Sequence, residues 1–265
     1  MVGSLWNHRH LILQMAKREV IGRYKGSIMG LLWSFLNPLF MLVVYTFVFS
    51  VVFKARWGTG ADASDSKTQF AIVLFAGMIV HAFFAEVLNR APSVILANAN
   101  YVKKVVFPLE TLIAIVAGAA LFHAMASVGV LLVAFVIFNG SLHWTIVLLP
   151  LVFMPLLILS LGCGWILASL GVFARDVGQV VVVITTVLMF LSPVFFPVSS
   201  LPTAVQPWIM ANPLTFIIEQ TREVVVWGRM PNWAGLALYF VSATFVAWLG
   251  YAWFQKTRKG FADVL

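Results

Sequence analysis

Long apolar runs, each near the length of a bilayer crossing, alternate with short polar joins along most of this chain. A spanning helix needs about 20 mainly apolar residues, and six segments qualify: 28–53, 70–90, 110–138, 144–173, 177–196 and 233–254. Apolar residues are continuous within each run rather than alternating, which predicts helices and not the strands of a barrel. The expected fold is an all-α integral membrane protein, with residues 1–265 forming one transmembrane domain. Runs 110–138 and 144–173 exceed the hydrocarbon core and predict tilt or projection beyond it. Pro150 and Pro155 place a kink in the second of these.

Three stretches break the pattern. Segment 5–25 is too polar to cross. Wound as a helix, it sets Leu5, Ile12, Leu13, Ala16, Val20 and Tyr24 on one arc, with Asn7, Gln14, Arg18 and Lys25 opposite. That predicts an N-terminal amphipathic helix in the membrane interface, although Arg9 and Arg23 intrude on the apolar arc. It could serve as an anchor, or as a gate or partner platform. Residues 54–69, with Gly58, Gly60, Asp62 and Asp65, read as an external turn. After Met189, Pro193, Pro197, Pro202, Pro207 and Pro213 punctuate an apolar sequence. It cannot form one straight helix, so 197–230 is expected as short re-entrant helices on the outer side between the fifth and sixth spans. Glu219, Arg222 and Glu223 follow at helical spacing and predict a helix under the outer headgroups.

Composition removes a soluble alternative. Hydrophobic residues make up 62% of the 265 and charged residues 10%, against about 25% charged in a soluble domain. The formal charge of +8 then belongs to loops that face anionic lipid, not to nucleic acid. If both termini are cytoplasmic, the inner segments hold twelve of the seventeen Lys and Arg. That asymmetry predicts an even number of crossings with N and C termini inside. Cys163 stands alone in an apolar run and reads as a packing residue.

Candidate chemistry is sparse. No Gly-Lys pair exists to form a phosphate-cradling Walker loop, no Asp-x-Asp pair is present, and the five histidines lack metal-ligand spacing. No catalytic residue, metal or cofactor is expected in this chain. Glu86 and Arg90 are four apart near the end of the second run and predict an ion pair on one helix face. Between Pro92 and Pro108 a short amphipathic helix tipped by Lys103 and Lys104 is expected; spacing alone leaves it either an interfacial loop or a docking element. Ser34, Asn37, Met41 and Tyr45 share one face of the first run, and Thr185, Met189, Ser192 and Phe196 one face of the fifth. Polar faces in lipid-solvated helices imply a protein or water neighbour. Ser160, Gly164 and Ala168 form a small-residue stripe suited to close helix packing.

Several of these motifs, in order, resemble the permease subunits of ABC polysaccharide exporters, which move O-antigen, capsule and teichoic acid chains. They are Arg23-Tyr24-Lys25-Gly26-Ser27, Gly30, Trp33 and Asn37-Pro38; Asn98 to Pro108; Arg175-Asp176; Ser192-Pro193-Val194; Asn212-Pro213; and Arg222. The chain is most similar to the O-antigen (Wzm-type) subgroup. The resemblance implies a transport subunit rather than an enzyme, located in the bacterial inner membrane among its lipids. Two copies would form a channel, and two cytoplasmic ATPase subunits would bind ATP and Mg. Within loop 92–108, residues Ile95, Leu96, Asn98, Asn100, Tyr101, Lys103, Lys104, Phe107 and Pro108 would couple to the ATPase. Arg23, Tyr24, Lys25 and Ser27 would border the cytoplasmic entrance. Trp33, Ser34, Asn37, Met41, Tyr45, Thr185, Met189, Ser192 and Phe196 would line the path of a lipid-linked polysaccharide, with O-antigen expected. A small-molecule exporter of the same superfamily is the alternative. A membrane-embedded glycosyl- or phosphotransferase is disfavoured, because no carboxylate or histidine cluster is visible.

Overall fold

The computed structural model describes residues 1–52, 57, 67–103 and 107–264. Most of the expected external turn at 54–69, and Lys104, lie outside the described residues. Among the described residues the fold is all helical. Five helical stretches are long and apolar enough to cross a membrane: Gly30–Phe49, Gln69–Ala97, Thr111–Asn139, Trp144–Phe173 and Trp233–Gly260.

Helices α1 (Val2–Asn7) and α2 (Arg9–Arg23) replace the single helix expected over 5–25, with a break at His8. Ala16 and Val20 are buried, and Leu5 and Ile12 pack on the apolar cluster that contains Ala16. The arc therefore rests on protein, chiefly on α6 (Thr111–Asn139), while Leu13 stays exposed. Gly118 of α6 permits this approach, since a Cβ there would come within 3.2 Å of the Ala16 methyl.

Helix α3 (Trp33–Tyr45) carries Pro38 and continues as a π-helical turn over Thr46–Val52. Wide turns of this kind are frequent at functional sites. Helix α4 (Lys67–Ala97) is the centre of the bundle: 78% of its apolar window is buried, against 11% for the first crossing and 22% for the last. It runs without interruption through Pro92, seven residues past the expected end at 90. Pro92 removes one N–H, but the turn is held by close packing on Gly171, where any Cβ would collide with the Pro92 carbonyl. The separate helix expected from Pro92 is thus reduced to α5 (Ala99–Lys103).

Helix α6 ends at Gly140, left-handed at φ 81°. Helix α7 (Leu149–Phe173) and helix α11 (Trp233–Thr257) cross almost backbone to backbone. A Cβ on Gly162 would lie 2.7 Å from the Ala247 backbone, and Gly250 faces the Gly162 carbonyl. Ser160 and Ala168, of the expected small-residue stripe, are fully buried.

Helix α8 (Val177–Leu191) has only 15 residues, about 22 Å at 1.5 Å per residue against a core of about 30 Å. The expected crossing at 177–196 is therefore not one helix: Ser192 is extended and Pro193 follows. Beyond it come helices α9 (Gln206–Met210) and α10 (Pro213–Val225). Asn212 caps α10 by accepting from the Leu214 N–H at 2.9 Å, with Pro213 in the first turn.

Helix α10 packs against α4 and α7. Arg222 is 1% exposed. Its Nε donates to the Val73 carbonyl (3.1 Å), Nη2 to the Val194 carbonyl (3.0 Å) and Nη1 to Glu219 (3.3 Å), while its guanidinium lies 4.3 Å from the Trp57 ring. One buried cation thus ties α10 to α4 and to the segment after α8. Nearby, Phe49 stacks on Phe70 (5.8 Å) and on Phe195 (5.7 Å), joining the π-helical turn to the same segment.

At the other end the chain termini meet. Ser4 and Arg258 both reach Glu110, which immediately precedes α6. A short 3-10 turn, Arg258–Gly260, and helix α12 (Phe261–Val264) follow α11 there.

Candidate functional site: a charged cleft beside the N-terminal helix

Where α2 ends, the chain turns through Gly26 and Gly30, both at positive φ (89° and 50°). This turn brings Arg23 and Tyr24 over a cleft of about 240 Å3. Its walls are Trp33, Asn37, Met41 and Tyr45 from α3, Met78, Ala82 and Glu86 from α4, and His123 and Ser127 from α6. A second, more polar space behind Arg23 is bounded by Glu19, Asn89, Arg90 and His123.

The two spaces share one charge cluster. Arg23 Nη1 donates to Glu86 Oε1 at 2.7 Å, and His123 Nδ1 lies 3.0 Å from both Glu86 oxygens. Arg90 Nη1 is 3.5 Å from Glu86, as the four-residue spacing predicts, but its closer partner is Glu19 of α2. Two guanidiniums face two carboxylates, so the cluster is balanced, and His123 adds charge when protonated. Arg23 is about half exposed (55%). Burial raises the Tyr24 phenol above its ordinary pKa, partly opposed by the Arg23 charge; its ring meets His123 edge-on at 6.2 Å.

Residues chosen at two separate places in the sequence thus fall together. Arg23, Tyr24, Trp33, Ser34, Asn37, Met41, Tyr45 and Glu86 line one cleft. Ser27 accepts from the Trp33 indole N–H at 2.9 Å and fixes that ring at the mouth. Ser34 is nearly buried and bonds the Leu31 carbonyl, and Lys25 is exposed on the turn. The fifth-run face does not join the cleft. Thr185 is buried, donating to Asn89 at 2.9 Å, and its carbonyl meets His81 Nε2 at 2.9 Å. Ser192 is buried too, and its Oγ accepts from Asn212 at 2.9 Å. Its apolar members, Met189 and Phe196, are half-exposed. The polar members of this face hold α8 to its neighbours within one chain.

In the expected coupling segment, Ile95 is fully buried and anchors the end of α4. Asn98 donates to the Val94 carbonyl at 2.8 Å, and Tyr101 stacks on Phe107 at 4.5 Å. Leu96 and Pro108 are half-buried and Asn100 is exposed. Lys103 closes α5. Sequence spacing missed Glu19 and His123. Glu19 was the sole carboxylate of a basic amphipathic segment, a signal that it answers a cation elsewhere.

Five apolar helical stretches long enough to cross a membrane, packed around a half-open cleft with charged and aromatic walls, define a multi-pass membrane protein. Residues 10–226 match the ABC-2 type transporter family, and the chain belongs to it. It is 26% identical over 265 residues to the O-antigen export system permease protein RfbA of Myxococcus xanthus, covering 99% of this chain and 98% of that one. It is 27% identical over 249 residues to the polysialic acid transport protein KpsM of Escherichia coli, covering 91% of each. To the capsule polysaccharide export inner-membrane protein CtrC of Neisseria meningitidis serogroup B the identity is 25% over 226 residues, covering 83% of this chain and 80% of that one.

Proposed function

We propose that this chain is the channel-forming subunit of an ATP-driven exporter that moves a lipid-linked polysaccharide, of the O-antigen class, out of the cytoplasm across the bacterial inner membrane. The cleft carries the reading: a mouth bearing the half-exposed Arg23 opens onto aromatic and small polar side chains. Fixed cations suit the phosphates that join lipid to glycan. Aromatic faces give weak, sequence-tolerant contacts over which a polymer can slide, and conduction requires sites that release as readily as they bind. End-to-end similarity to an O-antigen export permease supports the substrate class.

In this reading two copies face each other, and two separate ATPase subunits bind ATP and Mg on the side where the termini meet, which is cytoplasmic. Helix α8 and the proline-rich stretch after it complete a sixth crossing, and α9 and α10 are re-entrant helices near the outer exit. Substrate enters beside α2. ATP binding closes the ATPases, segment 92–108 moves with them, and the bundle feeds the polymer outward.

The test reverses Lys103 and Lys104 to Glu, separately and together. Surface polysaccharide and the amount of inserted protein are then compared with the parent. Loss of export at unchanged insertion is expected. Normal surface polysaccharide in the double variant would remove the coupling assignment.

A further inference from the structure

We infer that segment 258–264 braces the coupling segment, with Arg258 and Phe261 as its positioning residues; this rests on the coupling reading above. The argument starts at Glu110. This carboxylate is 5% exposed, and a buried carboxylate is costly unless paired. Oε1 accepts from Ser4 Oγ of α1 at 2.8 Å. Oε2 has no hydrogen bond among the described residues, and the charge facing it is Arg258 Nη1 at 3.5 Å. The Glu110 carbonyl accepts from the indole N–H of fully buried Trp165 at 2.9 Å. The group is therefore held rigidly on α7 while its charge is answered by a contact that can loosen.

Phe261 supplies the packing. It is fully buried, 5.5 Å from the Phe254 ring and 5.9 Å from the Phe173 ring. Helix α12 lies against α5 and α7. One apolar cluster contains Phe261, Phe254, Val94 and Ile95, and Tyr101 and Phe107 pack on it. The coupling segment thus sits on a floor partly built by residues that follow helix α11. Thr257 fastens that floor by donating to Ser169 at 3.1 Å. A segment so placed does not touch the transported chain. It sets the position of α5 relative to α6 and α7, and with it how much of an ATPase movement reaches the bundle.

The experiment uses the full chain assembled with its ATPase in membranes. It measures assembled complex, ATP hydrolysis and polysaccharide exported per ATP. The variants are Phe261→Ala, Phe261→Leu, Arg258→Ala and Arg258→Lys, beside Tyr101→Ala as a test of coupling itself. For the Phe261 and Arg258 variants, assembly and hydrolysis are expected within about twofold of the parent. Export per ATP is expected to fall at least about tenfold for Phe261→Ala, because truncating a buried Phe shifts a docking equilibrium by more than a decade. A smaller loss is expected for half-exposed Arg258→Ala, with Phe261→Leu and Arg258→Lys restoring most of the ratio. Export that falls only in step with assembled complex, or unchanged export per ATP in both alanine variants, overturns the inference. If Tyr101→Ala exports normally, the coupling reading fails first. If it is defective while the segment variants are normal, the brace alone fails.

Discussion

Replacing Arg23 by Ala separates a gate from an anchor, because the two roles differ in magnitude. Arg23 is 55% exposed and Glu86 19%. Partly exposed ion pairs are worth about 0.2–1 kcal/mol, and this one belongs at the upper end because Glu86 is sheltered. Removing Arg23 strands no charge, since Glu86 keeps His123 at 3.0 Å and Arg90 at 3.5 Å. A loss of about 1 kcal/mol from a typical 5–15 kcal/mol leaves about 99% or more of the chain folded. Anchoring therefore cannot explain a large loss of export. If Arg23 meets the substrate's phosphates, Arg23→Ala should lower export at least about tenfold, equivalent to about 1.4 kcal/mol in the limiting barrier. Arg23→Lys should recover only part, because an ammonium lacks the two-pronged geometry. The assay is surface polysaccharide normalised to membrane-inserted protein. Export within about twofold of the parent at matched insertion would refute the reasoning and leave Arg23 as an anchor.

Other expectations concern the frame. Arg222→Met removes two charge-assisted bonds to backbone carbonyls, each worth about 1.5–3 kcal/mol. Relief of a buried charge offsets part of this, so equilibrium unfolding in mixed micelles should show a net loss of about 2–4 kcal/mol; no loss would mean the clamp is dispensable. Gly162→Ala places a methyl 2.7 Å from the Ala247 backbone and should cost about 1–3 kcal/mol as overpacking, a result excluded if its unfolding curve matches the parent. Asn212→Ala removes the α10 cap and the bond to Ser192. It should lose about 1–2 kcal/mol and speed proteolysis in 192–212 before any other region; uniform proteolysis would count against it.

The long crossings were legible because a run of apolar residues matching the bilayer is a length signal that tertiary context does not alter. Errors arose where a stop signal and apolarity disagreed. At Ser192-Pro193 the proline ended α8 although the sequence stayed apolar, and the length criterion overshot to 196. At Pro92 the reverse occurred: a residue that usually opens a helix lies within one, because Gly171 of a distant helix lets the turn pack. Glu86 and Arg90 were paired correctly from spacing, but spacing cannot reveal partners such as Glu19 or His123, which arrive from other helices. Helical spacing of Glu219, Arg222 and Glu223 predicted a helix, but only the fold brings Val73, Val194 and Trp57 around Arg222. The cleft was half legible: the face of α3 lines it, whereas the polar members of the α8 face are consumed by internal bonds.

The continuity of α4 has a mechanical consequence. Its 31 residues form a rod of about 46 Å at 1.5 Å per residue. One end holds the Arg222 clamp through Val73, the middle carries Glu86 of the charged mouth, and the other end delivers Ile95 to the base of α5. Because the helix is continuous and its Pro92 turn is held against Gly171, these three stations are mechanically linked. In the proposed transport cycle, a tilt imposed at the base would shift the mouth and strain the far clamp in the same stroke, and this single helix would keep intake and release in phase.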